Sequence, residues 1–302
     1  MNKPIALAIH GGAGTIEKKR ITPEVQVQYE TALRRALDAG AHVLQQGGNS
    51  LDAVEAAVIE LEDCPLFNAG RGSVFNSKGL HEMDAAIMDG RTLKAGAVTG
   101  IRSFRNPVKA ARLVMEQSGF VFLSGEGAEE FARLHELSEA ATDYFYTEYR
   151  YNDWQQKKQN VAGTPRQLGT VGAVALDVNG NVAAATSTGG LTNKAYGRIG
   201  DSPVIGAGTY ANNHTCAVSC TGDGEHFIRA VAAYNVSCCM EYKQASLHEA
   251  CANTMQKLSN IEGYGGLIAV DVQGNIDMPF NTEGMYRACF RSDGLIEVKI
   301  FE

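Results

Sequence analysis

The chain has 302 residues, 44% of them hydrophobic and 20% charged, and carries a formal net charge of −7. That length suits one large α/β domain or two of average size. The acidic balance argues against general nucleic-acid affinity, which needs a basic surface to displace counterions, and no apolar run approaches the ~18 residues of a membrane span.

In chain order, Ile5-Ala6-Leu7-Ala8-Ile9 is too short for a signal h-region and reads as a buried strand. Thr22-Pro23 predicts an N-cap followed by proline in the first turn. The helix it opens places Val25, Tyr29, Leu33, Ala36, Leu37 and Leu44 at helical spacing and stops at Gly47-Gly48. A second helix is capped by Asn49 or Ser50, carries Leu51, Val54, Val58 and Leu61 on one face, and ends before Pro65. Asn106-Pro107 repeats the cap-and-proline signal for a helix to about Ser118-Gly119, and Ser246 with Glu249 predicts a capping box for another reaching about Leu258.

Two segments resemble each other. Val171 to Val182 and Gly265 to Ile276 each run as an apolar strand, an Asp-x-x-Gly-Asn turn and a second strand, which predicts two hairpins and antiparallel pairing. Long apolar strands with helices on either side predict helices sandwiching β-sheets. Residues 152–168 have no apolar period and read as an exposed linker. Seven cysteines, an odd number without metal-ligand spacing, predict reduced thiols in a cytoplasmic protein. Cys238 and Cys239 fall on an expected helix, Cys216 and Cys220 on an expected strand.

The linker ends immediately before Gly169-Thr170-Val171-Gly172-Ala173-Val174. A β-branched residue at the head of a strand is ordinary. If the Gly169–Thr170 bond breaks, however, Thr170 carries both a hydroxyl and a terminal α-amine. Such an amine has a pKa near ~7.7–8.0, so much of it is free base at neutral pH. One residue then supplies nucleophile and general base together.

Six motifs in order extend this reading. They are His10-Gly11-Gly12-Ala13-Gly14, the run Cys64 to Gly72, Gly169 to Val174, Thr186 to Gly190, Gly197 to Pro203, and Thr221-Gly222-Asp223-Gly224-Glu225. With them the chain resembles the plant-type isoaspartyl peptidase/L-asparaginases of the N-terminal-nucleophile hydrolase superfamily, over nearly its whole length. The resemblance implies an α/β fold, specifically a four-layer αββα sandwich, built as a single domain from an inactive precursor. Thr170 attacks the carbonyl of Gly169, an N-to-O acyl shift follows, and water releases an α chain of 1–169 and a β chain of 170–302, which assemble as (αβ)₂. The mature reaction is amide hydrolysis of isoaspartyl dipeptides or L-asparagine through a β-aspartyl-enzyme.

The resemblance also assigns roles. Thr188, at the end of the strand begun at Asn181, sits beside Thr170, and Asn68 orients the nucleophile. Thr221 and the Gly222 backbone receive the oxyanion. Arg198 grips the substrate α-carboxylate, Asp201 takes the α-ammonium, and Gly222 and Gly224 complete the pocket. Each has a plainer reading: a strand-end threonine bonding its own backbone, an Asx-turn at Asn68, helix capping by Thr221 or Asp223, and a solvated Arg198–Asp201 turn pair. No catalytic cofactor is implied. Main-chain carbonyls of Leu61, Glu62, Cys64, Phe67, Ala69 and Arg71 are implied to hold a structural Na⁺, an oxygen-liganded hard cation. His10, His81 and His226 lie at no metal spacing and read as structural or surface residues. The competing functions are a glycosylasparaginase-like or taspase-like hydrolase, and a binding relative that does not cut itself.

Overall fold

The apolar runs pair into two sheets. In the computed structural model, which describes residues 4–14, 21–159 and 169–302, twelve strands are present among the described residues: β1 (Ala6–Gly14), β2 (Met83–Asp89), β3 (Ala95–Ile101), β4 (Phe122–Ser124), β5 (Val171–Leu176), β6 (Val182–Thr188), β7 (Thr209–Ala211), β8 (Cys216–Gly222), β9 (Gly265–Asp271), β10 (Ile276–Asp277), β11 (Gly284–Arg291) and β12 (Ile296–Lys299). The larger sheet runs β12-β11-β1-β5-β6-β2-β3-β4 and the smaller β10-β9-β8-β7. Every pairing is antiparallel except β3 with β4.

Eight α-helices accompany them among the described residues: α1 (Pro23–Gln45), α2 (Ser50–Asp63), α3 (Pro107–Gln117), α4 (Gly125–Leu134), α5 (Glu148–Gln159), α6 (Gly224–Ala230), α7 (Ala232–Lys243) and α8 (Leu247–Asn260). Side-chain alternation along each strand sorts the core into layers. On β5 and β6, Ala173, Ala175, Ala183 and Ala185 pack outward with Leu37, Val54 and Val58 of the first two helices. Their neighbours Val174, Leu176, Val182 and Ala184 point inward and meet Ala217, Ile268 and Val270 of the smaller sheet. That sheet's other face, with Val218, Cys220 and Leu267, is covered by Phe227, Val236 and Leu258 from α6, α7 and α8. The result is the αββα sandwich. Both faces of the central strands β1, β2, β5, β6 and β9 are buried, which is why they read as continuous apolar runs.

Most local signals act as expected. The Thr22 hydroxyl accepts from Val25 N, the Asn49 carbonyl from Asp52 N, and Ser246 with Glu249 forms a full capping box. In both hairpins the turn aspartate accepts two backbone N–H groups: Asn179 and Asn181 for Asp177, Gln273 and Asn275 for Asp271. The cysteine pairs lie on α7 and β8, and all seven cysteines are free thiols.

Three expectations need correction. Val25 is exposed, as are the residues of α1 that precede it. Asn106 does not cap α3; its amide donates to Asp63 instead. The linker expected over 152–168 is helical through Gln159, where Trp154 stacks on Phe75 and anchors an otherwise polar helix. Residues 160–168 lie outside the described residues.

The capping box gives a direct test of this local reading. Replacing Ser246 with Ala removes the acceptor for Glu249 N and is expected to cost about 1 kcal/mol. Thermal unfolding checks it, and an unchanged midpoint contradicts it.

Candidate active site

Strand register brings the two key hydroxyls together. In the β5–β6 hairpin Val171 faces Ser187 and Gly172 faces Thr186, so Thr170, one step before β5, lies against Thr188 at the end of β6. Both side chains are buried. Thr170 Oγ1 donates to Thr188 Oγ1 at 3.2 Å, and Thr188 Oγ1 lies 3.3 Å from the carbonyl oxygen of Gly169 as a donor. Gly190 N donates back to Thr188 Oγ1 at 3.0 Å. Thr188 therefore does more than bond its own backbone.

Asn68 is buried beside this pair, and a Cβ on Gly169 would stand 2.9 Å from its Cβ. Its amide donates to Gly190 O at 2.7 Å and its Oδ1 accepts from Val74 N. Asn68 thus braces the Gly189-Gly190 turn. Behind that turn lies an ion pair that sequence reasoning missed. Lys194 Nζ, donating to Glu82 O, stands 3.7 Å from Asp84 Oδ2, with both side chains almost fully buried. Asp84 is the β2 residue opposite Thr188, so this pair sits at the same end of the sheet.

His10 is a second omission. Its Nδ1 is 2.9 Å from Thr170 O and its Nε2 2.9 Å from Ser219 Oγ. Burial pushes the ring down to about 3, with the Thr170 carbonyl pulling the other way, so it is a neutral imidazole. The sequence reading of a structural histidine holds, but it missed the contact with the nucleophile candidate. His81 is buried against Ser73.

Thr221 lies on β8, fully buried, and its Oγ1 accepts from Ala13 N at 3.3 Å. This ties it to the His-Gly-Gly-Ala-Gly segment. Asp223 occupies the N-cap position of α6 without a side-chain capping bond there; its Oδ2 accepts from Tyr264 N. Capping alone does not account for this motif.

Arg198 and Asp201 converge on Gly224. A Cβ at Gly224 would lie 2.7 Å from Arg198 Nη2 and 3.0 Å from Asp201 Oδ1, so the absent side chain leaves room between a cation and a carboxyl. Arg198 does not form the turn ion pair that its spacing from Asp201 suggested. Its guanidinium binds Glu225 in bidentate fashion, at 2.9 and 3.0 Å. Glu225 is in the first turn of α6; the sequence placed it in a motif but gave it no role. Asp201 Oδ2 is buried without a hydrogen-bond partner. Burial lifts its carboxyl to about 7, opposed by its own backbone amide and by Arg198.

The segment carrying Leu61, Glu62, Cys64, Phe67, Ala69 and Arg71 wraps the C-terminus of α2. Leu61 O already accepts from Cys64 N and Ala69 O from Gly72 N. The Glu62 carboxyl turns away to Val108 N, Phe67 packs on Tyr29, and the Arg71 guanidinium lies over Tyr144. No basic residue sits in the last turn of α2, so its carbonyl end is a suitable place for a hard cation. Among the described residues no group of three or more His, Cys, Asp or Glu could hold a metal, and no helix is long and apolar enough to cross a membrane. A cavity of about 420 Å³ lined by Asn49, Arg91, Arg112 and Asp177 lies at the opposite end of β5 and β6.

Residues 2–300 match the family described as Asparaginase. The isoaspartyl peptidase of Escherichia coli (strain K12) is 52% identical over 293 residues, covering 93% of this chain and 91% of that one. The isoaspartyl peptidase/L-asparaginase of Homo sapiens is 43% identical over 276 residues, covering 90% and 88%. A probable isoaspartyl peptidase/L-asparaginase 2 of Arabidopsis thaliana is 42% identical, covering 98% and 99%. Sequence, two-sheet architecture and threonine pair together assign this chain to the asparaginase family that includes these enzymes.

Proposed function

We propose that the protein is an autoprocessed isoaspartyl peptidase/L-asparaginase whose nucleophile is Thr170. The observation that carries this reading is the pair of hydroxyls converging on the 169–170 bond, with Thr170 bonded to Thr188 and Thr188 aimed at Gly169 O. In the precursor, Thr170 Oγ attacks the Gly169 carbonyl carbon while the Thr188 hydroxyl polarises its oxygen. The C–N bond breaks as the Oγ proton passes to the departing nitrogen, an ester joins Gly169 to Thr170 Oγ, and water hydrolyses it. Gly169 gains a carboxylate and Thr170 a free amine.

In the mature enzyme that amine takes the Thr170 hydroxyl proton as Oγ attacks the side-chain amide carbonyl of substrate, then delivers it to the departing amine. Water releases aspartate from the β-aspartyl ester. Thr221 and the backbone N–H at Gly222 serve the oxyanion; losing one such donor costs ~10²–10³ in rate. Asn68 keeps the Thr188 turn in place. Arg198 binds the α-carboxylate with the N–H donors that Glu225 leaves available, and Asp201 binds the α-ammonium beside Gly224.

The products 1–169 and 170–302 would stay interlocked, because β1 of the first lies between β11 and β5 of the second. Assembly as (αβ)₂ and a structural Na⁺ on the 61–71 carbonyls belong to this reading, as does a cytoplasmic setting, supported by seven free cysteines. The chemistry of Arg198 and Asp201 favours a small aspartyl head group over the protein segment of a taspase-like protease.

Thr170→Ala is expected to abolish both chain scission and hydrolysis of β-aspartyl dipeptides; turnover surviving in this variant overturns the nucleophile. Arg198→Ala is expected to raise KM at least tenfold while scission continues, since the precursor presents no free α-carboxylate there. An uncut Arg198→Ala chain instead marks a structural arginine. Asp201 adds a pH dependence. Its folded pKa is raised, so the stability it contributes is complete below its ordinary value of 3.8 and is lost as pH rises through about 7. Substrate ammonium needs the charged form, so KM for L-asparagine should climb as pH falls from about 8 to about 6. A KM that stays level over that range contradicts the assignment.

A further inference from the structure

Four buried side chains from four strands meet in line between the sheets. His10 on β1, Gly172 on β5 and Thr186 on β6 are lateral neighbours by register, while Thr209 on β7 faces Ser219 on β8 in the other sheet. Gly172 leaves the gap that joins the two rows: a Cβ there would stand 2.0 Å from Ser219 Oγ and 2.5 Å from His10 Nε2. Through that gap Ser219 reaches His10 at 2.9 Å and Thr186 at 2.7 Å, and Thr209 Oγ1 donates to Thr186 Oγ1 at 2.6 Å.

Proton positions along this row follow from elementary chemistry. Thr170 O can only accept, so His10 Nδ1 carries the hydrogen at their 2.9 Å contact. In the neutral ring Nε2 must then accept, so Ser219 donates to it. With its single proton committed, Ser219 Oγ accepts from Thr186, and Thr186 accepts from Thr209. The competing acceptors are farther away: Gly208 O is 3.3 Å from Thr186 Oγ1, and Ser202 O is 3.0 Å from Thr209 Oγ1.

We infer that Thr209, Thr186, Ser219 and His10 form a one-way hydrogen-bond relay that holds Thr170 by its carbonyl and keeps its hydroxyl in register with Thr188 after the preceding peptide bond is cut. The inference rests on Thr170 being the nucleophile. Before scission that residue is fixed by covalent bonds on both sides. Afterwards its N-terminal side is free, and the donor on its carbonyl is a backbone restraint that survives the cut, beside the hydroxyl's own bond to Thr188. Chains of hydroxyls polarise one another in a dry interior, so every link strengthens the last one. These four are positioning residues, none of which touches substrate.

The test uses the mature protein with Thr186→Val, which keeps the side-chain shape and removes the proton, and Thr186→Ser, which restores it. Thr186→Val is expected to lower kcat on a β-aspartyl dipeptide by about threefold to tenfold, roughly what one hydrogen bond is worth, with KM within about twofold. Thr186→Ser is expected to recover most of the rate. Unchanged kcat in Thr186→Val, or a serine variant as slow as the valine one, overturns the relay. A readout independent of variant folding is ¹⁵N NMR of His10 in the unaltered protein: a neutral ring protonated at Nδ1 is expected, and protonation at Nε2 overturns the inference. Thr170→Ala separates the two readings. Its survival as an active enzyme sinks the nucleophile, whereas a dead Thr170→Ala beside a fully active Thr186→Val sinks only the relay.

Discussion

The pairing of Val171 with Ser187 is the constraint on which the site depends. It sets Thr170 against Thr188, sets Gly172 between His10 and Thr186, and, through β2, sets Asp84 opposite Thr188. Side chains alternate along a strand, so a slip of one residue would send one threonine to the helical layer and the other to the inter-sheet layer. Two features resist such a slip. The Asp177 turn accepts backbone N–H groups from Asn179 and Asn181, which locks the hairpin end. Burial of both faces, with alanines toward the helices and larger residues toward the second sheet, makes the two faces of β5 and β6 non-interchangeable.

The polar groups at this end of the molecule are nearly all spent on one another. Asn68 and Gly190, Thr188 and Gly190, His10 and Ser219, and Thr221 and Ala13 are each paired. A buried polar group without a partner is costly, and mutual satisfaction of this sort restrains the site to a narrow set of arrangements. Asp84 and Asp201 are exceptions, each with one buried oxygen that has no hydrogen-bond partner; Asp84 has Lys194 Nζ 3.7 Å away, whereas burial lifts the Asp201 carboxyl. In the proposed function this is the ammonium pocket, and the substrate would bring the partner that Asp201 lacks. The interleaved order of strands from both sides of residue 169 would let a chain cut there, as proposed, keep the sandwich.

Much of this was legible in the sequence, for identifiable reasons. Capping residues at Thr22, Asn49 and Ser246 act through local backbone geometry, so their signals survive without tertiary information. The two Asp-x-x-Gly-Asn turns announced their hairpins for the same reason. Thr170, Thr188, Thr221, Arg198 and Asp201 stood out because six motifs occur in one order. What the sequence concealed depends on distant contacts. Residues 152–159 look like a polar linker, yet Trp154 finds Phe75 and a helix results. Glu225, not Asp201, takes the Arg198 fork because α6 brings it alongside. His10 and Ser219 are 209 residues apart, and their contact depends on two registers and a glycine. The small residue at position 172 was the visible trace of it, uninterpretable until the second sheet was in place.

The most direct measurement of the central claim is the covalent state of the working enzyme. Protein quenched in acid during turnover of a β-aspartyl dipeptide should yield two polypeptides that meet between Gly169 and Thr170, with the aspartyl group esterified to Thr170 at the head of the second. An aspartyl group carried on another residue, or full activity in a population whose 169–170 bond is intact, would contradict the account.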